Sequence, residues 1–257
     1  MIYGNLKEQK ILKELIEKNI SPLLVSGPEG VGKFSFLKEY LESKKNEVII
    51  LKSENKNFSI ETARFLVSLA QKKSEKRFIL IDSVHKFQIQ SQNVLLKTFE
   101  ETPSATIFIL VTHQENKILP TIRSRSLKIK FGLVSKEETK KFLEEQGFNK
   151  KDIDLALEFY PHQPGKALKL LKDNKLTMMK KFLFLENLAE LKNNFNLQEF
   201  LENYLLILRK EILQKIKERK SISKEIKKIK NCLSLYYDSE YNLNFELQLA
   251  NLLLYNE

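Results

Sequence analysis

A glycine-rich segment near the N-terminus has the spacing of a phosphate-binding loop. Residues 27–33 read GPEGVGK, follow an apolar run and precede a helical pattern. In that context backbone N–H groups and the start of the helix can bind phosphate, and a lysine can reach the β- and γ-phosphate oxygens. The segment predicts a site for ATP or ADP that contains Gly27, Gly30, Gly32 and Lys33.

Two departures weaken this site as an ATPase. Phe34 stands where such loops carry a hydroxyl that holds Mg²⁺, and Ser35 points about 100° further around the helix. Asp82 ends an apolar run and could hold Mg²⁺ through water, or it could merely cap the next turn. Ser83 follows it and cannot orient an attacking water as a glutamate would. Independent hydrolysis is therefore not expected, the loop could be kept for its shape alone, and Mg²⁺ is expected only if nucleotide binds.

The elements that must position these residues follow an alternating pattern. Short apolar runs at residues 22–26, 47–51, 77–82, 106–112 and 127–131 alternate with helical patterns. This alternation predicts a five-stranded parallel sheet in an α/β domain, and strands this apolar are expected where helices cover both faces. After Gly132, three short helices are predicted at 135–146, 150–160 and 165–171. The remainder lacks glycine and proline and predicts a helical bundle.

The bulk composition limits the class of protein. Apolar residues make up 42% and charged residues 30% of the 257 residues, which is typical of a globular protein. No apolar run approaches the ~20 residues of a membrane span, and a secretory signal pattern is absent, so a cytoplasmic protein without membrane contact is expected. One cysteine, Cys232, excludes a four-cysteine zinc site, and no zinc is expected.

The net charge of +11 is concentrated near the C-terminus. Between Arg209 and Lys230 there are ten basic and three acidic residues, in what the pattern predicts to be a basic helix. Such a helix can attract nucleic acid or an acidic partner, or it can simply be a solvated face. It lacks the interleaved aromatic residues that would indicate base stacking.

Four blocks in the first two thirds of the chain resemble AAA+ clamp-loader subunits of bacterial DNA polymerase III. The run QNVLLKTFEETP at residues 92–103 is similar to their ANALLKTLEEPP block, and ILPTIRSRS at 118–126 to their LPTIRSRC block. Residues 106–112 lie where their sensor-1 strand lies, and HQPGKAL at 162–168 is similar to their sensor-2 segment GSPGRAL. The blocks occur in the family's order, and the likeness is greatest to its delta-prime branch.

The resemblance implies roles for particular residues. Arg125 would be an arginine finger that reaches the γ-phosphate held by a neighbouring subunit, although a surface position or an intramolecular salt bridge is the alternative. A planar, permanently charged guanidinium suits that task. Thr112 takes the sensor-1 position, and Lys166 takes the place of the sensor-2 arginine. Ser126 replaces the cysteine of the motif, a small change that should leave Arg125 in place.

The resemblance also implies an organisation and a function. We expect an AAA+ nucleotide-binding-like domain over residues 1–132, a small three-helix lid domain over 133–173 and a helical collar domain over 174–257. The chain would be a non-motor subunit of a hetero-pentameric clamp loader, without ATPase activity of its own. Its partners would be motor subunits, the clamp-opening delta subunit, the sliding clamp and, indirectly, primed DNA. The alternative is an ATP-hydrolysing motor subunit or a related DNA-remodelling ATPase.

Overall fold

In a computed structural model, the chain is described over residues 3–53, 57–72, 76–101, 105–173 and 197–238. The chain divides into two compact units, Met1–Lys169 and Leu170–Glu257. Within the described residues no helix combines the length and apolar content needed to cross a membrane.

The first unit contains five parallel strands. They are β1 (Leu23–Ser26), β2 (Glu47–Leu51), β3 (Arg77–Ile81), β4 (Thr106–Val111) and β5 (Leu127–Lys130), in the spatial order β2-β3-β4-β1-β5. The predicted five-stranded parallel sheet is thus confirmed. Residues of β1, β3 and β4 are buried throughout, as their apolar runs predict. The two edge strands are partly exposed, because each has a neighbouring strand on one side only.

Helices cover both faces of the sheet. The helices of this α/β region are α1 (Leu6–Glu17), α2 (Lys33–Glu42), α3 (Ile60–Gln71), α4 (Ile89–Glu100) and α5 (Pro120–Arg125), with 3₁₀ turns at Val84–Lys86 and Glu115–Lys117. Successive residues of a strand point to opposite faces. Leu23 therefore packs in the core layer of α1 and α2, while Leu24 packs in the layer of α3 and α4.

Three further helices follow the sheet: α6 (Lys136–Glu145), α7 (Lys150–Phe159) and α8 (Pro164–Lys172). Ser135 caps α6 in a reciprocal capping box with Glu138, and the Asn149 side chain caps α7. Pro164 is the first residue of α8, a position where its missing N–H has no intrahelical partner.

The described part of the second unit contains α9 (Leu197–Lys217) and α10 (Ser223–Asp238). The basic segment between Arg209 and Lys230 is divided between the end of α9 and the first half of α10. The chain turns at residues 218–222, where Arg219 adopts a left-handed backbone with φ 54° in the absence of a glycine. Across the turn the Lys215 ammonium pairs with the carboxylate of Glu225 at 2.7 Å. Residues 174–196 and 239–257 of the predicted collar lie outside the described residues.

Candidate functional site

The glycine loop connects β1 directly to α2. Gly27, Gly30 and Gly32 have φ of 136°, 78° and 92°, values that side chains other than glycine rarely adopt. At Gly27 a Cβ atom would lie 2.3 Å from the carbonyl oxygen of Phe131, which follows β5. The loop's glycines are thus required by backbone conformation, and at Gly27 also by the close approach of a neighbouring strand.

The Lys33 side chain lies inside the loop with 6% of its surface exposed. Its ammonium donates to the carbonyl oxygens of Gly27 at 2.8 Å and Pro28 at 2.6 Å. Burial lowers the pKa of Lys33 to about 8, although the negative charges of Asp82 and Glu29 favour the charged form. The two carbonyl hydrogen bonds also favour that form. We therefore describe Lys33 as an ammonium at neutral pH.

A cavity of about 200 Å³ lies over the loop and the carboxyl ends of the central strands. It is lined by Glu29, Gly30, Gly32, Lys33, Phe34, Ser35, Asp82, Ser83, Val111, Thr112, His113 and Gly165. The fold therefore brings together seven of the predicted nucleotide-site residues, namely Gly30, Gly32, Lys33, Phe34, Ser35, Asp82 and Thr112. Gly27 forms the loop behind them, and Lys166 follows one lining residue, Gly165.

Asp82 follows β3 at the carboxyl edge of the sheet. Its N–H donates to the carbonyl oxygen of Leu51, the last residue of the neighbouring strand β2, at 2.8 Å. Burial raises the pKa of Asp82, and the positive charges of Lys52 and Lys33 oppose that rise. Ser83 is a left-handed residue, with φ 61°, that opens the 3₁₀ turn. Asp82 therefore has cationic neighbours of its own and is followed by a residue that cannot act as a base.

The residues present do not fit a Mg²⁺ ion of the kind that such loops hold. Phe34 is the second residue of α2, and its partly buried ring packs against the core layer of α1 and α2. The Lys52 ammonium lies 5.6 Å from the centre of that ring. Ser35 borders the cavity, but it is exposed and one position too late in the helix. The Lys52 ammonium therefore lies near the position where a loop hydroxyl would have to hold Mg²⁺.

Thr112 lies directly after β4 and is hydrogen-bonded within the chain. Its hydroxyl lies 3.0 Å from His85 Nδ1 and accepts from the N–H of Gln114 at 3.0 Å. The rings of His85 and His113 pack edge to face, with centroids 4.3 Å apart. Burial, followed by the charge of His113, lowers the pKa of His85 to about 3, and burial lowers the pKa of His113. Both imidazoles are therefore neutral near pH 7.

His113 and Glu29 are cavity residues that sequence reasoning missed. His113 directly follows the predicted sensor-1 position, and Glu29 lies inside the glycine loop. Their positions in the sequence are the only signal that could have identified them, because a phosphate-binding pattern requires neither a glutamate at position 29 nor a histidine at position 113.

Helix α8 begins directly against the loop. The N–H of Gly165 donates to the carbonyl oxygen of Gly30 at 2.7 Å, and a Cβ at Gly165 would lie 3.0 Å from that oxygen. The Lys166 ammonium lies 3.1 Å from a carboxylate oxygen of Glu29. The positive charges of Lys166 and other neighbours lower the pKa of Glu29 although burial alone would raise it. Lys166 is thus paired with the loop's own carboxylate.

Arg125 is the last residue of α5 and lies outside the cavity. Its guanidinium pairs with the carboxylate of Glu100, the last residue of α4, at 2.6 Å and donates to the Thr121 carbonyl oxygen at 3.2 Å. The two paired side chains are 40% and 43% exposed. The intramolecular salt bridge considered from the sequence is therefore present, and it lies at the surface.

The neighbours of Arg125 fix the helix that carries it. The buried Ser126 hydroxyl donates to the Ile122 carbonyl oxygen at 2.8 Å, so the small replacement is accommodated within the helix end. The Gln92 side chain, only 1% exposed, donates to the carbonyl oxygens of Phe87 and Lys117 at 2.9 Å and accepts from the Leu119 N–H at 2.8 Å. Gln92 thus joins α4 to the start of α5. Residues 102–104, with the end of the 92–103 block, lie outside the described residues.

The described residues contain no group of three or more His, Cys, Asp or Glu side chains placed to hold a metal ion. Cys232 is buried in the second unit, where burial raises the pKa of its thiol to about 12. Its thiol donates weakly to the Leu201 carbonyl oxygen at 3.6 Å. This cysteine is therefore a packing residue between α9 and α10.

Comparison with known proteins relates this architecture to replication proteins. The sequence model of the family described as "DNA polymerase III, delta subunit" matches residues 35–135, which include Asp82, Thr112 and Arg125. A DNA polymerase III subunit gamma from Buchnera aphidicola is 38% identical over 135 residues, covering 51% of this chain and 34% of that protein. A subunit delta′ from Pseudomonas aeruginosa is 36% identical over 61 residues, covering 24% of this chain and 18% of that protein.

The chain therefore spans about a third or less of the length of these two relatives. A crystal structure of a DNA polymerase III gamma subunit-related protein from Thermotoga maritima superposes with a TM-score of 0.64 over 97% of this chain and 98% of that one. At 19% identity this likeness shows the fold alone. The family match covers residues 35–135, and together with these relatives it makes that part of the chain similar to subunits of DNA polymerase III.

Proposed function

We propose that the chain is a non-motor clamp-loader subunit of the delta-prime kind, which donates Arg125 in trans to the ATP site of a neighbouring motor subunit. In DNA replication it would act with motor subunits and the clamp-opening delta subunit in a hetero-pentamer. That assembly would place the sliding clamp on primed DNA. The chain itself would not hydrolyse ATP.

One observation carries this proposal: Arg125 is exposed at the end of a short, well-fixed helix, while the chain's own cavity lacks two parts of an ATPase. Phe34 supplies no hydroxyl for Mg²⁺, and Ser83 supplies no base to orient water. A guanidinium outside the chain's own site can stabilise phosphoryl charge only in another molecule's site. A chain whose own site lacks a hydroxyl and a base, but which presents an arginine outside that site, is suited to complete the ATP site of another subunit.

The salt bridge to Glu100 does not argue against this role. An exposed ion pair contributes about 0–1 kcal/mol, whereas a finger supplied in trans accelerates hydrolysis by roughly 10³–10⁵-fold, or about 4–7 kcal/mol of barrier. Breaking the ion pair with Glu100, so that the Arg125 guanidinium can contact a γ-phosphate, therefore costs little free energy.

The domain assignments belong to the same proposal. Helices α6 to α8 would form the lid domain over 133–173, and the helices of residues 174–257 would join a collar that holds the subunits together. The basic residues of α9 and α10 would add salt-dependent attraction to the DNA backbone or to acidic partners.

A motor ATPase is the second candidate, and the matches to proteins named subunit gamma favour it. A motor requires a metal ligand after the loop lysine and a base after the strand aspartate. Since Phe34 and Ser83 occupy those positions, the non-motor role is the better supported of the two.

The experiment that separates these candidates is an ATPase assay on the purified chain, with motor subunit of the same organism as the positive control. We expect turnover at background level with Mg²⁺ and ATP, both alone and with clamp and primed DNA. We also expect the chain to co-elute with motor and delta subunits on size exclusion. Robust turnover by the isolated chain would overturn the non-motor proposal.

A further inference from the structure

Lys52 and Asp82 lie side by side where two neighbouring strands end. In the parallel pair of β2 and β3, Leu51 is in register with Ile81, so the next residues, Lys52 and Asp82, are neighbours at the carboxyl edge. The hydrogen bond from the Asp82 N–H to the Leu51 carbonyl oxygen, at 2.8 Å, continues this pairing by one residue. Parallel register therefore places an ammonium beside the strand carboxylate.

Phe34 determines where that ammonium lies. The Lys52 ammonium is 5.6 Å from the centre of the Phe34 ring, a distance at which a cation is attracted to an aromatic face. Phe34 and Asp82 both line the cavity, and Lys52, which is exposed and does not itself line the cavity, lies next to both of them. The residue that removes the Mg²⁺ ligand thus also contacts a replacement positive charge.

The charges around the cavity suit an anion without a metal. Lys33 contributes a buried ammonium, Lys52 lies exposed beside two lining residues, and Lys166 pairs with Glu29 at 3.1 Å. Asp82 is the remaining carboxylate among the lining residues; burial raises its pKa, and the charges of Lys52 and Lys33 oppose that rise. The start of α2, with its free backbone N–H groups, faces the same space.

We propose that this cavity binds the phosphate chain of a nucleoside di- or triphosphate without Mg²⁺, with Lys52 supplying the charge that the metal supplies in other phosphate-binding loops. A cavity of about 200 Å³ is smaller than the ~300–1,000 Å³ of whole-ligand pockets, so it accommodates the phosphates and leaves the nucleoside at its mouth. Binding of this kind stabilises the loop and supports no hydrolysis. It is independent of the role of Arg125 in a neighbouring subunit.

The test is equilibrium binding of ADP and ATP to the full chain by isothermal titration calorimetry, in EDTA and in 5 mM MgCl₂. We expect both nucleotides to bind more tightly in EDTA than in MgCl₂, because Mg²⁺ in solution occupies the phosphate oxygens that Lys33 and Lys52 would contact. Lys52→Ala should weaken binding at least about tenfold, because a charge-assisted contact is lost. Lys45→Ala, which removes an exposed lysine before β2, is the matched control and should change little. Inorganic pyrophosphate, titrated in parallel, shows whether the phosphate chain alone suffices.

Three results would overturn the proposal. They are absence of binding at millimolar nucleotide in both buffers, tightening of tenfold or more by Mg²⁺, and an unchanged affinity in Lys52→Ala. If Ser35→Ala abolished such a Mg²⁺ effect, Ser35 would be the metal ligand instead. The Lys52→Ala chain should still support clamp-stimulated hydrolysis by the motor subunits. Loss of nucleotide binding with normal stimulation therefore separates this proposal from the one that concerns Arg125.

Discussion

Replacement of Arg125 gives the largest expected effect on function. Arg125→Ala removes the guanidinium from the end of α5, and we expect hydrolysis at the adjoining motor site to fall by roughly 10³-fold or more. Arg125→Lys should recover little of this loss, because an ammonium cannot make the planar, bidentate contact with phosphate oxygens. The substitution should lower the catalytic rate constant and leave assembly intact, since the described contacts of the Arg125 side chain are with Glu100 and Thr121 of the same chain.

The magnitude of the intramolecular contact gives an internal control. The Arg125–Glu100 pair joins side chains that are 40% and 43% exposed, so it contributes about 1 kcal/mol at most. Glu100→Gln should therefore increase the availability of the guanidinium by no more than about fivefold. The unfolding free energy of either variant should change by about 1 kcal/mol or less, as measured by urea denaturation of the isolated chain.

The assay is single-turnover hydrolysis of ATP in the reconstituted assembly with clamp and primed DNA. Under single-turnover conditions each motor site hydrolyses its bound ATP once, so a slowed site next to Arg125 appears as a separate slow phase that a steady-state rate would hide. Size exclusion should show intact assemblies for every variant. An Arg125→Ala assembly that hydrolyses ATP at the original rate would refute the finger role. Failure to assemble would make Arg125 an interface residue instead.

Two further predictions concern the loop and the histidine pair. Gly27→Ala places a Cβ 2.3 Å from the Phe131 carbonyl oxygen and should lower the unfolding free energy by about 3 kcal/mol or more, whereas Gly147→Ala, with no atom within 4 Å, should cost about 1 kcal/mol for its positive φ alone. Urea midpoints that are equal for the two variants would contradict this reasoning. Because burial lowers the pKa of His85 to about 3 and also lowers that of His113, the unfolded chain binds more protons below pH 6.5. Stability should be fully present above pH 6.5 and fall toward pH 4, by less than about 1.4 kcal/mol per unit for each partly exposed ring. His85→Asn should flatten the slope of urea midpoints against pH, and an unchanged slope would exclude His85 as its cause.

Much of the fold could be predicted because the elements are encoded locally. The helix predicted at 150–160 matches Lys150–Phe159, and the apolar run at 47–51 matches the strand Glu47–Leu51. Apolar runs predicted all five strands to within a few residues. The end of α9 had no local signal in the sequence, because no glycine or proline marks the turn at Arg219.

The site could be predicted less completely, since sequence specifies residue types and order but not which side chains meet. Sequence alone identified the loop glycines, Lys33, the missing hydroxyl at Phe34 and the arginine at position 125. Only the tertiary structure decided that Lys33 donates to its own loop, that Arg125 pairs with Glu100 and that Gly165 contacts Gly30.

The neighbours Lys52 and Asp82 illustrate the physical reason. They are separated by the whole of α3 and β3, and nothing in either local pattern refers to the other. Strand order and parallel register bring them together, because pairing Leu51 with Ile81 fixes the position of every residue that follows. Sequence therefore determined the strands and the charged residues, whereas the long-range pairing of those strands decided which charges lie beside one another.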